Sequence, residues 1–226
     1  MAQRSLYDLL NGEFASGNPN LAQGVLNPDA VVARQRFVEN FTGKSLDTER
    51  WTTSHNVGTG SNPMSSSGGV LVTSASGGTG NKWQIDFGAG VGMYDPAGCT
   101  MIAVYQKVVN DTASSADVFL TSDATASDPA QHILIFDEGS GVKLQLQNSG
   151  SNLTDTGLSL SSNSRRAVKI DCTSSAVNLS INGILRCVST SNIPTSGCNP
   201  MFRVRGRGVN SNAHQMRVTY CEVYNT

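Results

Sequence analysis

Residues 165–187 read RRAVKIDCTSSAVNLSINGILRC, and the spacing of their apolar side chains decides the fold. Every second residue is apolar in two runs of this stretch, 168–172 and 177–181. Strict alternation over four to eight residues is typical of a β-strand with one buried face. The residues predicted to point into a core are Val168, Ile170, Cys172, Val177, Leu179 and Ile181.

Two turn signals join these runs into a meander. Thr173-Ser174-Ser175 separates the first two strands, and Asn182-Gly183 follows the second. Asn-Gly is the strongest short hairpin signal, because both central residues of its turn need a positive φ. The return strand is predicted over residues 184–188. A slip of one residue would turn the apolar set toward water, so the alternation also determines the pairing.

Similar short apolar runs recur along the rest of the chain, with Gly, Ser and Asn between them. They predict strands over 70–72, 83–87, 99–105, 117–120, 132–136, 142–146 and 216–224. Many short strands with small polar turns are typical of two packed antiparallel sheets.

The opening run of this region has the form F-x-E-x-F-x-G-x-x-L-D-x-x-x-W over residues 37–51. It resembles the first strands of concanavalin A-like jelly rolls, a superfamily of legume-type lectins, laminin G-like domains and β-glucanases. The meander at 165–187 and the closing run at 216–224 are similar to theirs as well. The resemblance spans residues 36–226 and implies an all-β, two-sheet antiparallel jelly-roll sandwich. Such folds host many functions.

Two units are predicted: an N-terminal extended arm over residues 1–34 and the concanavalin A-like β-sandwich domain over residues 35–226. The arm has one short helical pattern at 5–10, followed by Asn-Pro turn signals. It is too short and too broken to form a core. We therefore expect it to be held either by its own domain or by a neighbouring chain.

The low content of charged residues restricts the classes of partner that this protein is expected to bind. Charged residues are 15% of the chain against about 25% on average, and the formal net charge is -1. We therefore expect no nucleic-acid and no membrane partner. No run of 18 apolar residues is present, and the start MAQRSLYDLL lacks the features of a signal peptide. These features predict a protein that stays in the cell making it or leaves by lysis or assembly.

Five cysteines lie at positions 99, 172, 187, 198 and 221, so at least one is unpaired. Buried free thiols are the favoured interpretation, although Cys172 and Cys187 flank a hairpin and could face each other. No C-x-x-C or zinc spacing is present, and no metal and no cofactor are predicted. The scattered acids Asp123, Asp128 and Asp137 leave a structural calcium as an open alternative.

The resemblance implies a particular catalytic motif, which this sequence lacks. Its β-glucanase branch carries E-x-D-x-E or E-x-D-x-x-E on one strand, which puts the carboxylates on one face. None of the five glutamates begins that motif, and adjacent Asp137 and Glu138 point to opposite faces. His55, His132 and His214 lie in different elements without a Gly-x-Ser-x-Gly elbow. The prediction is that the protein is not an enzyme.

Five residues are weak candidates for ligand binding. Arg203, Arg205 and Arg207 alternate on a predicted strand, so their guanidinium groups would share one face. They could bind an anionic sugar, a phosphate or an acidic partner; the alternative is a solvent face. Trp51 could stack on a sugar ring, with His55 nearby; the alternative for Trp51 is the core.

The leading functional hypothesis is a non-enzymatic virion structural protein of a tailed bacteriophage, either a capsid decoration protein or a fibre head. The absent signal peptide and catalytic motifs, the neutral Ser/Thr/Asn/Gly-rich composition and the arm favour it. It predicts a homo-oligomer in the virion, assembled in the host cytoplasm, with the arm on other virion proteins. The alternative is a lectin-like module that binds a glycan.

Overall fold

The computed structural model describes residues 36–57, 60–61, 63–65, 68–74, 82–87, 94–108, 114–123, 129–138, 141–159, 164–206 and 214–226. The strands found there are β1 (Arg36–Glu39), β2 (Trp51–Val57), β3 (Gly60–Ser61), β4 (Val70–Ser74), β5 (Lys82–Phe87), β6 (Cys99–Lys107), β7 (Ser114–Thr121), β8 (Gln131–Glu138), β9 (Gly141–Asn148), β10 (Ser151–Leu158), β11 (Arg165–Cys172), β12 (Val177–Ile181), β13 (Ile184–Ser189), β14 (Asn199–Gly206) and β15 (His214–Asn225). Nothing in these ranges forms a helix of the length and apolarity that crossing a bilayer requires. The arm predicted over 1–34 lies outside them.

The strands form two antiparallel sheets. One has the order β13-β12-β11-β6-β15-β4-β3, with β1 also paired to β15, and the other has the order β10-β9-β8-β7-β14-β5-β2. The closing strand β15 therefore returns beside the first strand, as the resemblance implied. The two sheets enclose one large apolar core. The prediction of an all-β, two-sheet antiparallel sandwich is confirmed.

The predicted meander is present in the predicted register. Val168 pairs with Ile181, and Ile170 pairs with Leu179, on β11 and β12. All six residues predicted to point inward are 2% exposed or less. Asn182 and Gly183 have φ values of 52° and 79°, as an Asn-Gly turn requires. The Asn182 side chain accepts a hydrogen bond from the Ala167 backbone N–H at 2.9 Å, which ties the turn to β11.

The aromatic residues of the opening motif pack into the core. Trp51 is 1% exposed, and its ring lies 5.9 Å from Phe37, 5.3 Å from Phe41 and 5.8 Å from Phe202 between centroids. The burial alternative therefore holds for Trp51. The idea that Trp51 stacks on a sugar is corrected, because neighbouring rings already cover it.

One ion pair crosses the core from sheet to sheet. Arg166 on β11 donates from Nε to Oδ2 of Asp137 on β8 at 2.6 Å, and both residues are 5% exposed or less. Burial raises the pKa of Asp137 above its usual value, and the charge and hydrogen bond of Arg166 oppose that rise. Asp137 thus faces inward, whereas adjacent Glu138 faces the other side of the sheet, as the alternation predicted.

All five cysteines are buried and unpaired, which confirms the favoured interpretation. Cys172 is the register partner of Val177, and Cys187 is that of Leu179. The alternative pairing of Cys172 with Cys187 is therefore wrong: they are not opposite one another across the hairpin.

Candidate functional site

The outer face of the seven-stranded sheet is polar, yet it is buried. On β7, Ala116, Val118 and Leu120 belong to the core, so Asp117 and Phe119 lie on the outer face. A face turned only to water would leave its polar side chains exposed. Those of this face that are 7% exposed or less are Lys82, Gln84, Asp86, Ser115, Asp117, Thr121, His132, Asn199 and Arg203. Such a sheltered polar face is typical of a ligand site.

A groove of about 460 Å³ lies on this face, over the five neighbouring strands β14, β7, β8, β9 and β10. Its lining is Phe119, Pro129, His132, Leu134, Phe136, Glu138, Gln145, Gln147, Ser151, Leu153, Arg203 and Arg205. A small apolar cluster, separate from the main core, forms around its floor: Phe119, Leu134, Phe136 and Met201. The groove therefore combines an apolar floor with a polar rim.

A buried ion pair supports the floor. Arg203 donates to Oδ2 of Asp117 from both Nε and Nη2, at 2.8 Å in each case. Its Cζ lies 4.5 Å from the ring centroid of Phe119, so the guanidinium also packs against an aromatic ring. Among the described residues, Oδ1 of Asp117 has no hydrogen-bond partner. The positive charge beneath the groove is thus offset by a carboxylate on the neighbouring strand.

The His132 ring lies beside Pro129 at one end of the groove, and two contacts hold it there. Its Nδ1 lies 3.0 Å from the carbonyl oxygen of Pro129, and a carbonyl only accepts, so Nδ1 carries the proton. The ring also meets Phe119 edge-on, with centroids 5.6 Å apart. Both contacts fix the orientation of the imidazole beside the apolar floor.

The rim is formed by polar side chains of β8, β9 and β10. Lys143 donates to Oε1 of Glu138 at 3.1 Å, and Gln145 donates to the Ser151 hydroxyl at 2.8 Å. Gln147 is half-buried, and Leu153 is exposed. Amides, a hydroxyl and an internally paired carboxylate therefore border the groove.

The sequence predicted that Arg203, Arg205 and Arg207 share one face of a strand, and the structure describes two of them. Arg203 and Arg205 do share the outer face and line the groove. The solvent-face alternative is wrong for Arg203, which is 1% exposed and paired with Asp117. Arg207 lies outside the described residues. His55 is opposite Trp83 on the neighbouring strand β5, but its side chain lies outside the described part.

Sequence reasoning missed most of the groove. Phe119, Phe136, Gln145 and Gln147 alternate with core residues on their strands, so the two-residue period did carry the signal. The same period that predicts the inward residues therefore also predicts which residues face outward. The sheet order that brings these strands beside Arg203 cannot be read from local spacing.

The acids of the face differ from the glucanase motif. The outward positions of β7 carry Ser115, Asp117 and Phe119, so one carboxylate stands where E-x-D-x-E would put three. Glu138 on β8 is another acid of this face; it lies two residues beyond Phe136, the register partner of Asp117. Diagonal neighbours of this kind are about 7–8 Å apart. Within the described residues, no three His, Cys, Asp or Glu side chains are gathered into a metal-binding group.

Solved structures share this fold. The apo Crh5 transglycosylase has a TM-score of 0.64 at 16% identity and covers 86% of each chain. The Bacillus licheniformis β-glucanase has a TM-score of 0.62 at 13% identity, over 84% of this chain and 98% of its own. A Bacteroides ovatus GH16 protein of a mixed-linkage glucan locus has a TM-score of 0.62 at 9% identity, over 83% and 99%. No family model and no curated protein sequence matches the chain.

The fold that this chain shares with these structures is the concanavalin A-like jelly roll. The particular structures named are glucanases and transglycosylases, and at this identity they share the fold alone. They contradict two predictions made from the sequence, the non-enzymatic virion structural protein and the statement that the chain is not an enzyme. The virion prediction rested on absent motifs, on composition and on the arm, and the non-enzyme prediction rested on absent motifs, whereas a transglycosylase and a β-glucanase share the fold.

Proposed function

We propose that this chain binds a neutral glycan in the groove on the outer face of the seven-stranded sheet. The observation that carries the proposal is the pairing of an aromatic floor with an amide and hydroxyl rim. A sugar ring has apolar C–H faces and hydroxyl edges. The first suit the apolar lining formed by Phe136 and the exposed Leu153, and the second suit the amides of Gln145 and Gln147.

The charges of the groove favour a neutral ligand over an acidic one. Arg203 is paired with Asp117, and Glu138 is paired with Lys143. A charged sugar would have to compete with these contacts. The named neighbours add support, because one of them is described in complex with a glucan product.

Titration calorimetry with a neutral mixed-linkage glucan oligosaccharide tests the proposal. We expect binding by the native chain and at least a roughly tenfold loss in Gln147→Ala, since one good hydrogen bond contributes about 1.4 kcal/mol at this scale. Asn178→Ala is the matched control, because Asn178 is also half-buried but lies on the other sheet. An acidic oligouronide serves as the second ligand. No heat with the neutral ligand, or equal losses in both variants, would overturn the proposal.

Glycan cleavage or transfer is a second candidate, favoured by Glu138, which lines the groove, and by Asp117 on the neighbouring strand beneath the floor. Inverting glycosidases hold two carboxyl groups about 6.5–9.5 Å apart. The Cα positions of Asp117 and Glu138 are diagonal neighbours on paired strands, about 7–8 Å apart. Glu138→Gln, at the rim of the groove, should abolish the release of reducing sugar that the native chain shows. If the native chain releases none, this candidate fails while glycan binding can still stand.

A further inference from the structure

Two cysteines meet across the middle of the eight-stranded sheet. Cys99 begins β6, Cys172 ends β11, and these strands pair antiparallel with Asp171 opposite Thr100. The next step of that register puts Cys172 opposite Cys99. Directly opposed Cα atoms of antiparallel strands lie about 4.5–5.5 Å apart, within the roughly 4.4–6.8 Å that a disulfide spans.

The side chains also point the same way. Cys99 is 0% exposed and Cys172 is 2% exposed, and both belong to the main core. The pKa of the Cys172 thiol is raised above its usual value, first of all by the neighbouring Cys99 thiol, as expected if the two sulfurs lie close together. The Cys198 thiol is also near Cys99, but it donates to the carbonyl oxygen of Ser196 at 3.3 Å. Cys99 and Cys172 are therefore the pair whose backbone register and thiol contact agree.

We propose that Cys99 and Cys172 are the site of a cross-strand disulfide, formed when the chain folds in the presence of a low-molecular-weight disulfide. In the first step, one cysteine thiolate attacks the reagent and releases one small thiol. The second cysteine then attacks the mixed disulfide and releases the other small thiol. The protein loses two protons and two electrons, and the reagent takes them up as its two thiols.

The timing of this reaction follows from burial. The thiolate is the attacking species, and the neighbouring Cys99 thiol and burial hold the pKa of the Cys172 thiol well above its usual value. Oxidation of the folded protein should therefore be slow. Refolding exposes the thiols to solvent before the sheet closes, so oxidation during refolding should be fast.

The bond would act on the unfolded chain as well as on the sheet. It would close a long loop from Cys99 to Cys172, and longer loops remove more entropy from the unfolded ensemble. It would also join β6 and β11, two neighbouring inner strands of their sheet. The oxidised protein should consequently unfold at a higher urea concentration than the reduced one. This inference does not depend on the groove.

Refolding the full chain from urea with oxidised and reduced glutathione tests the proposal. After denaturation and thiol titration, the number of free thiols should fall from five to three. Peptide mapping should find Cys99 linked to Cys172. Reductant should restore all five thiols and lower the urea midpoint.

Variants separate this pair from the other thiols. Cys187→Ala should still lose two thiols on oxidation, whereas Cys99→Ala and Cys172→Ala should lose none. Mapping of the native chain stands by itself if a core variant fails to fold. Five thiols remaining after oxidative refolding, or a linkage through Cys198 instead, would overturn the proposal.

Discussion

Both Arg203 donors that face Asp117 converge on a single carboxylate oxygen, Oδ2, at 2.8 Å from Nε and 2.8 Å from Nη2. A fork that bound both oxygens would satisfy the whole carboxylate. Here Oδ1 has no hydrogen-bond partner among the described residues. The pair therefore neutralises the floor of the groove while one buried acceptor is left over.

Breaking that pair should destabilise the fold. Asp117→Asn removes the negative charge and leaves the Arg203 guanidinium buried without it, which should reduce the free energy of unfolding by about 3–5 kcal/mol. Replacing both residues by apolar ones, Asp117→Leu with Arg203→Met, should restore much of the loss. Urea unfolding of the native, single and double variants measures both effects. A single variant as stable as the native chain would contradict the prediction.

The ion pair inside the core predicts a pH dependence. Burial raises the pKa of Asp137 in the folded protein, so protonation there favours the folded state. That stabilisation is fully present below the unfolded pKa of about 3.9 and is lost as the pH rises through the raised folded value.

Asp137→Asn supplies the reference, because it cannot titrate. The stability of the native chain relative to this variant should fall as the pH rises from about 3 to about 7, measured by urea unfolding at each pH. A relative stability that rises with pH would mean that Arg166 outweighs the burial of Asp137.

The meander offers a matched pair of core and surface variants on β12. Leu179→Ala removes a side chain that is 0% exposed and should reduce the free energy of unfolding by about 2–5 kcal/mol. Asn178→Ala, on the opposite face of the same strand, should change it by about 0.5 kcal/mol or less. Equal losses in the two urea midpoints would show that the strand register is wrong.

At Gly183, in the Asn182-Gly183 turn, the effect of backbone strain can be measured without steric crowding. A Cβ at Gly183 would have nothing within 4 Å, so space does not restrict this position, but its φ is +79°. Gly183→Val should therefore destabilise by more than about 1 kcal/mol through strain alone. Gly183→Asn should be milder, because asparagine tolerates positive φ better. Thermal unfolding of both variants tests the order, and equal effects would contradict it.

The spacing of apolar residues along each strand correctly predicted which residues face the core. The two-residue period identified the meander and its inward set, because period and burial are properties of one strand. The partners of the outward half are distant along the chain: Arg203 meets Asp117 across 86 positions. No local pattern shows that β14 lies between β7 and β5. The arginine face consequently looked like solvent surface, whereas it forms part of a sheltered groove.

The prediction that the protein is not an enzyme was wrong for a related reason. Sequence reasoning required the acids E-x-D-x-E on one strand, and β7 carries only Asp117 at those positions. A β-glucanase and a transglycosylase nevertheless share the fold. The sheet register also places Glu138 of β8 on the same face as Asp117, which no single-strand pattern shows.

The ion pair between Arg166 and Asp137 has a mechanical consequence for the groove. Asp137 lies between the groove residues Phe136 and Glu138, so β8 lines the groove on one side and is anchored to the opposite sheet on the other. A displacement of β8 on ligand binding would therefore be transmitted to β11 through this ion pair. The backbone amides of β8 and β11 should then exchange with deuterium as one cooperative unit, and Arg166→Met should let β8 open independently.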